Sequence, residues 1–187
     1  MKKIYFIMVI LTACFCQAQQ KTKKFTVEYL NMSAISITKN TEGYFSNYGF
    51  NESRSITNGF DVGISTLHGA KLFGYVSVMA GIGVDWNINK TFLATPFIVD
   101  LRLFSSKRTE NSGFVYLQTG HNIKWNDTFN GDGVTAKMGI GGIFQYDGNT
   151  AYYIELYKKS RHIHLDELQN RGFYKTLGYG VSIGVIF

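Results

Sequence analysis

The stretch GYGVSIGVIF, residues 178–187, decides the fold. Its two faces differ: one carries mainly glycine and serine, and the other carries Tyr179, Val181, Ile183, Val185 and Phe187. Strict alternation of this kind is typical of a β-strand whose two sides meet different surroundings. The stretch therefore predicts a long strand with an apolar side in a hydrophobic medium and a bare side in a crowded space.

The same alternation recurs in eight segments separated by Gly, Asn, Asp and Ser clusters: 24–37, 56–67, 72–86, 91–104, 114–125, 133–146, 151–161 and 172–187. Most exceed the length of about 5–6 residues that is usual in globular strands and reach the length of about 9–11 that a tilted membrane strand needs. The pattern predicts an all-β protein, an eight-stranded, antiparallel, closed transmembrane β-barrel.

The polar faces of these segments carry charges of both signs. We predict that they form a lumen charge network of Glu28, Asp61, Asp85, Asp100, Arg102, Lys124, Lys137, Glu155 and Lys159. An eight-stranded interior is just wide enough for side chains, and buried charges must be paired. We therefore expect a filled barrel, with a gated or ion-selective pore as the alternative.

The N-terminal residues MKKIYFIMVILTACFCQAQQ have a basic start, an apolar run and a small residue, Ala18, at a cleavage position. The run is too short for a transmembrane helix. We interpret residues 1–18 as a secretory signal peptide and residues 19–187 as the barrel domain. The LTAC sequence also resembles a lipoprotein box, so lipidation of Cys14 is the alternative to cleavage after Ala18.

Composition narrows the classes of function. Both cysteines, Cys14 and Cys16, lie in the predicted signal peptide, so we expect no disulfide in the mature chain. The chain has 19 basic and 13 acidic residues without a basic run interleaved with aromatics, which argues against nucleic acid as a partner. It has no phosphate-binding loop and no dinucleotide fingerprint. We expect no cofactor and no enzymatic activity.

Aromatic residues and connection lengths fit a membrane barrel. We predict that membrane-interface aromatics stand at strand ends, namely Trp86, Trp125, Phe144 and Tyr152. The connections 68–71, 105–113 and 147–150 are short and are predicted as periplasmic turns, while 38–54 and 160–171 are predicted as external loops. The loop 38–54 is rich in aromatics, which suggests a surface partner.

The strands TPFIVDLRLF (95–104) and GVTAKMGIGGIFQY (133–146) and the terminal GVSIGVIF resemble small bacterial outer-membrane β-barrel proteins of the OmpA/OmpX type, including the short barrel-domain proteins of the Bacteroidota. The resemblance implies an outer-membrane location, surrounding outer-membrane lipid, and folding by the barrel-assembly machinery. That machinery would read Val185 and Phe187 as the assembly signal. Ser182 stands where the motif has glycine.

The resemblance leaves the molecular task open, because such barrels serve many functions. We expect a structural or surface-interaction role through the external loops. The alternatives are a small channel, a lipid-modifying enzyme, and a periplasmic lipocalin-like binder.

Two groups of side chains could form a catalytic or a metal-binding site. Ser160, His162 and His121 could serve a hydrolase, although the order of Ser160 and His162 reverses the known deacylase motif. The histidines of KKSRHIHLDE (158–167) could bind a metal together with Asp166 and Glu167, but two histidines do not make a closed site. We interpret that segment as a solvated loop and predict no metal or catalytic site.

Overall fold

The computed structural model describes residues 26–47, 52–55, 59–89, 92–107, 111–123, 132–145, 150–167 and 170–187. These ranges contain ten strands: β1 Val27–Asn47, β2 Glu52–Ser55, β3 Phe60–Leu72, β4 Val76–Asn87, β5 Phe92–Ala94, β6 Pro96–Phe104, β7 Gly113–Asn122, β8 Gly133–Gln145, β9 Ala151–Glu167 and β10 Asn170–Ile186. The predicted signal peptide lies outside the described residues. No helix in these ranges is long and apolar enough to cross a membrane.

Eight of the described strands form a closed antiparallel barrel in the order β1-β3-β4-β6-β7-β8-β9-β10, and β10 pairs back onto β1. The short strands β2 and β5 pair with the ends of β1 and β4. Cross-strand partners followed once round the barrel from Met32 lead back to β1 at Gly43, because the strands are staggered. The predicted fold class is confirmed.

The two faces of the wall are inverted relative to a soluble protein. The outward Ile64 and Ile183 are 63% and 62% exposed, whereas the inward Asp100 and Arg102 are 0% and 1% exposed. A soluble barrel turns its apolar face inward and its polar face to water. The lipocalin-like alternative is therefore wrong, because it requires the opposite assignment of faces.

One end of the barrel, here called the turn end, has tight connections. Between β3 and β4, Phe73 and Gly74 both have positive φ (55° and 76°), and the Tyr75 amide donates to the Leu72 carbonyl over 3.1 Å. Positive φ at both central positions defines a type I′ hairpin turn. The predicted turn at 68–71 is wrong, since those residues continue β3 in register with β4.

The opposite end, here called the hairpin end, consists of long strands. The predicted external loops 38–54 and 160–171 are mostly strand, because β1 continues to Asn47, β9 to Glu167, and β10 starts at Asn170. The β1–β10 ladder continues through these segments to Asn47↔Gly172, with one bulge between Asn40 and Glu42. The backbone N–H and C=O groups of these segments are hydrogen-bonded between neighbouring strands, so the segments are extended strands and not loops.

Apolar side chains close the lumen near the turn end. They are nearly inaccessible to solvent and come from five strands: Leu30, Met32, Leu67, Met79, Ile143 and Ile186. Leu30 and Met32 interrupt the apolar-outward pattern of the first segment because they contribute to this plug. The lumen is thus packed with hydrocarbon on one side of its charged groups.

The turn conformation gives a first prediction. Gly74→Ala should destabilise the barrel by about 1 kcal/mol, because an L side chain rarely adopts positive φ and the new Cβ would lie 3.1 Å from the Lys107 side chain. The midpoint of urea unfolding in detergent measures the effect. Gly142→Ala is the control, since a Cβ there meets only ordinary contacts at 3.5 Å and beyond. Equal midpoints for the two variants would contradict the turn assignment.

Candidate functional site

The lumen centre holds a bidentate arginine between two acids. Arg102 donates to Asp100 through Nε (2.9 Å to Oδ1) and Nη2 (3.2 Å to Oδ2), and through Nη1 to Glu155 Oε1 at 2.6 Å. Asp100 and Arg102 face the same way because they are two residues apart on β6. All three side chains are at most 1% exposed. Charge-assisted bonds of this geometry fix the arginine in place.

A lysine and a tyrosine complete this inner cluster. Lys137 Nζ donates to Glu155 Oε2 and to Ser182 Oγ, both at 3.1 Å, and Tyr116 also donates to Glu155 Oε2. The Arg102 guanidinium lies 4.6 Å from the centre of the Tyr116 ring. Two acids and two bases make the cluster formally neutral.

A second neutral cluster lies nearer the hairpin end. Lys159 Nζ is 2.7 Å from Asp85 Oδ2, and Arg161 reaches Asp85 at 2.8 Å and Asp61 at 3.3 Å. The Arg161–Asp85 contact is an ion pair and not a hydrogen bond. Asp61 is further held by the amides of Asn40 and Asn87 at 3.1 and 2.6 Å.

Little space remains between the clusters. A cavity of about 30 Å³ is lined by Ser36, Asp85, Lys137 and Lys159, among others. That volume holds one or two water molecules. Tyr157, whose hydroxyl lies 2.8 Å from Thr38 Oγ1, spans the same level. The described part of the lumen is therefore a filled, self-neutralising interior.

The mouth at the turn end has its own lysine. Lys71 Nζ donates to the Lys107 carbonyl at 3.0 Å and lies 4.5 Å from the Phe104 ring centre. Glu28 is in register with Lys71 but is exposed at the mouth. Glu28 lines the same mouth as Lys71, at the rim and outside the two buried clusters, because β1 begins only one residue earlier.

The sequence reasoning missed two lumen cations, Lys71 and Arg161. Both are buried. Lys71 lies in the predicted turn 68–71, whereas Arg161 is the last residue of the predicted segment 151–161 and also falls in the predicted loop 160–171. Lys71 lies on the same face of its strand as Asp61, and Arg161 on the same face as Lys159, so following the alternation to the ends of the strands identifies both. The predicted Lys124 lies outside the described residues.

The predicted rim aromatics stand on the outward face. Trp86 is half-exposed on β4, and Phe144 and Tyr152 lie opposite each other on β8 and β9. Trp125 lies outside the described residues. Val185 and Phe187 end the outward row of β10, and their role as an assembly signal stays a prediction.

The described side chains of Ser160, His162 and His121 do not form a hydrogen-bonded triad. His121 pairs with Asp132 at 3.1 Å on the outer wall. In register, Val134 lies between His121 and His162. Among the described side chains, no hydrogen bond connects Ser160 to either histidine. No catalytic arrangement results.

The two histidines of the 158–167 segment point the same way, with ring centres 4.9 Å apart. They lie on β9 and not on a loop. The side chains of Asp166 and Glu167 lie outside the described part. Within the described side chains, no group of three or more His, Cys, Asp or Glu could hold a metal.

The outer wall also carries a polar ladder that the alternation did not predict. Ser33 donates to Thr66 at 3.0 Å, Thr66 lies 3.4 Å from His68 Nε2, and His68 Nδ1 is 2.7 Å from the Tyr29 hydroxyl. The ladder joins β1 and β3 and largely satisfies its own hydrogen bonds. Polar groups facing lipid are tolerated when they are paired in this way.

Comparison with known proteins adds one structural likeness. No family model and no curated protein matches the chain. Among solved structures, the outer membrane protein OprG from Pseudomonas aeruginosa is similar, with 8% sequence identity, a TM-score of 0.39, and coverage of 84% of this chain and 93% of that chain. The barrel assignment rests on this chain's own strand pairing and not on that likeness.

The inner cluster gives a second prediction. Glu155→Gln should lower the stability by about 3 kcal/mol, because it leaves Arg102 and Lys137 buried with a single carboxylate. The urea midpoint in detergent again measures it. Asp132→Asn serves as the control, since its partner His121 and Asp132 itself are both largely exposed and such surface pairs contribute little. A midpoint unchanged by Glu155→Gln would refute the proposed strength of the cluster.

Proposed function

We propose that the protein is an integral outer-membrane β-barrel that conducts no solute and presents a β-sheet beyond the membrane for interaction with a surface partner. The observation that carries the proposal is the continuation of paired strands past the barrel at the hairpin end. The OmpA/OmpX-type sequence features and the predicted signal peptide support the same location.

The proposed membrane location is supported by the band of exposed apolar side chains on the outward face of the barrel wall. Leu101, Leu117 and Ile140 are about half-exposed or more and stand in continuous apolar rows with their cross-strand neighbours. Monomeric soluble proteins rarely expose contiguous apolar patches above a few hundred Å². A closed barrel also leaves no unpaired edge in the hydrocarbon layer. A lipid bilayer is the environment that accounts for both the exposed apolar band and the closed sheet.

The interaction role follows from what we call the outer platform, residues 41–47, 52–55, 162–167 and 170–176. There β9, β10, β1 and β2 form a sheet in which β9 and β2 are the edges. The β8–β9 pairing ends at Gly133↔Ile163, followed by one further bond from the His164 amide to the Asp132 carbonyl at 2.7 Å, and residues 165–167 of β9 have no partner strand on that side among the described residues. Such an edge can accept an added strand from another protein.

A small channel is the competing function, because a charged lumen is also what an ion pathway requires. The filled interior favours the non-conducting function. Arg102 and Glu155 block the centre, and the apolar plug lies between them and the turn end.

Surface labelling tests the orientation of the platform. Tyr44→Cys should react with a membrane-impermeant maleimide on intact cells, since Tyr44 is exposed on the platform. Tyr75→Cys should react only after the outer membrane is opened, because Tyr75 is a similarly exposed tyrosine in the tight turn at the turn end. The reverse pattern would mean that the platform faces the periplasm.

Conductance tests the filled lumen. The purified barrel in a planar bilayer should show no single-channel steps, because the ion clusters and the apolar plug fill the middle of the described lumen. A double change, Met32→Ala with Met79→Ala, removes part of the plug but leaves the clusters and should also stay silent. Regular steps from the unaltered protein would establish the channel function instead.

A further inference from the structure

A row of three outward side chains crosses the wall where it approaches the hairpin end. Lys39 of β1, Tyr179 of β10 and Lys158 of β9 are direct cross-strand partners. All three are exposed, and Lys158 Nζ lies 5.7 Å from the centre of the Tyr179 ring. Two cations therefore flank one aromatic hydroxyl on a surface that otherwise faces lipid.

These lysines differ from the lumen cations because they have no counter-charge in the described protein. None of the ion pairs between described residues includes Lys39 or Lys158. Glu42, the outward carboxylate next along β1, is in register with Leu177, one row closer to the hairpin end. A lysine facing lipid is strongly unfavourable at the bilayer midplane and less so towards the interface.

The outward wall changes character at Lys158. Lys158 lies opposite the apolar Met138 of β8, whereas the next outward residues of β9 towards the hairpin end are Ser160 and His162, and His162 lies opposite Val134. The Lys158 stem can thus pack on the apolar band while its ammonium extends to the head-group level. A counter-charge at that level would come from the membrane itself.

A shallow groove of about 900 Å³ leads from the lysines towards the turn end. Its outward lining is apolar and consists of Leu117, Met138, Ile140, Leu156 and Val181. An extended hydrocarbon chain fits such a groove.

We infer that Lys39, Tyr179 and Lys158 bind the phosphate of an anionic outer-leaflet lipid, with one of its acyl chains in the groove. The inference rests on the proposed membrane location. The two ammonium groups supply opposite charge, and the Tyr179 hydroxyl supplies a hydrogen-bond donor. A free phosphate would satisfy the lysines but would leave the groove without an occupant, so a lipid is the ligand that uses both.

Native mass spectrometry of the purified barrel in neutral detergent tests the site. Dimyristoyl phosphatidylglycerol should form a one-to-one adduct, and dimyristoyl phosphatidylcholine should bind far more weakly because its headgroup has no net charge. Excess inorganic phosphate should displace little of the lipid, and the dihexanoyl form should bind weakly because its chains are too short for the groove. Equal retention of the two dimyristoyl lipids would overturn the inference.

Variants separate the site from general basicity. The double change Lys39→Met with Lys158→Met should weaken the phosphatidylglycerol adduct about thirtyfold, because each lysine near a membrane surface contributes about 1 kcal/mol. Lys107→Met is the matched control, since Lys107 lies 5.9 Å from the Tyr75 ring at the other end of the barrel. It should bind within about twofold of the unaltered protein. An unchanged adduct in the double variant would refute the site.

Further measurements distinguish a failure of the lipid site from a failure of the proposed function. Lys39→Arg with Lys158→Arg should retain the adduct, so its loss there as well would show that the geometry proposed for the lysine pair is wrong. Every variant is first checked for the faster migration of the unboiled protein on a gel, which reports a closed barrel. A folded barrel with surface-accessible Tyr44→Cys and no lipid preference would leave the proposed function standing and refute only the lipid site.

Discussion

Closure of the barrel by the β10–β1 ladder is the constraint on which the rest of the structure depends. In hydrocarbon no water is available to bond an exposed N–H or C=O group, so every strand must have two neighbours. The register from Met32↔Ile186 onward supplies the last of these pairings. Once the sheet is closed, each side chain has only two destinations, the lipid or a narrow lumen.

The lumen explains the distribution of charge. Charged groups buried in the lumen are cut off from bulk water, so each acid must be paired with a base. Arg102 of β6 meets Glu155 of β9 across the interior, and Arg161 of β9 meets Asp61 of β3. These pairs connect strands that are not neighbours in the sheet. The interior therefore couples opposite walls, which the backbone ladder alone does not do.

The sequence predicted the architecture well because alternation is local information. The outward rows ending in Val185 and Phe187, and the inward Asp100 and Arg102, follow from the two-residue period alone. Strand ends were harder to predict. The turn at Phe73 uses an unusual residue at positive φ, and the segments taken as loops are strands because β1 and β10 pair with each other over a long range. Such pairing depends on partners far apart in sequence, as does the choice of Glu155 as the partner of Arg102.

The β1–β10 ladder extends from the barrel wall into the outer platform. The β1–β10 ladder begins at Met32↔Ile186 in the wall and ends at Asn47↔Gly172 on the platform, interrupted by a single bulge. Barrel strands tilt by about 35–45° to the barrel axis, so a force applied to the platform along that axis has a large component along these strands. Many ladder hydrogen bonds would then resist sliding together, whereas a peeling force would break them one after another. The barrel would thus hold best against a partner that pulls straight away from the membrane, as a tether does.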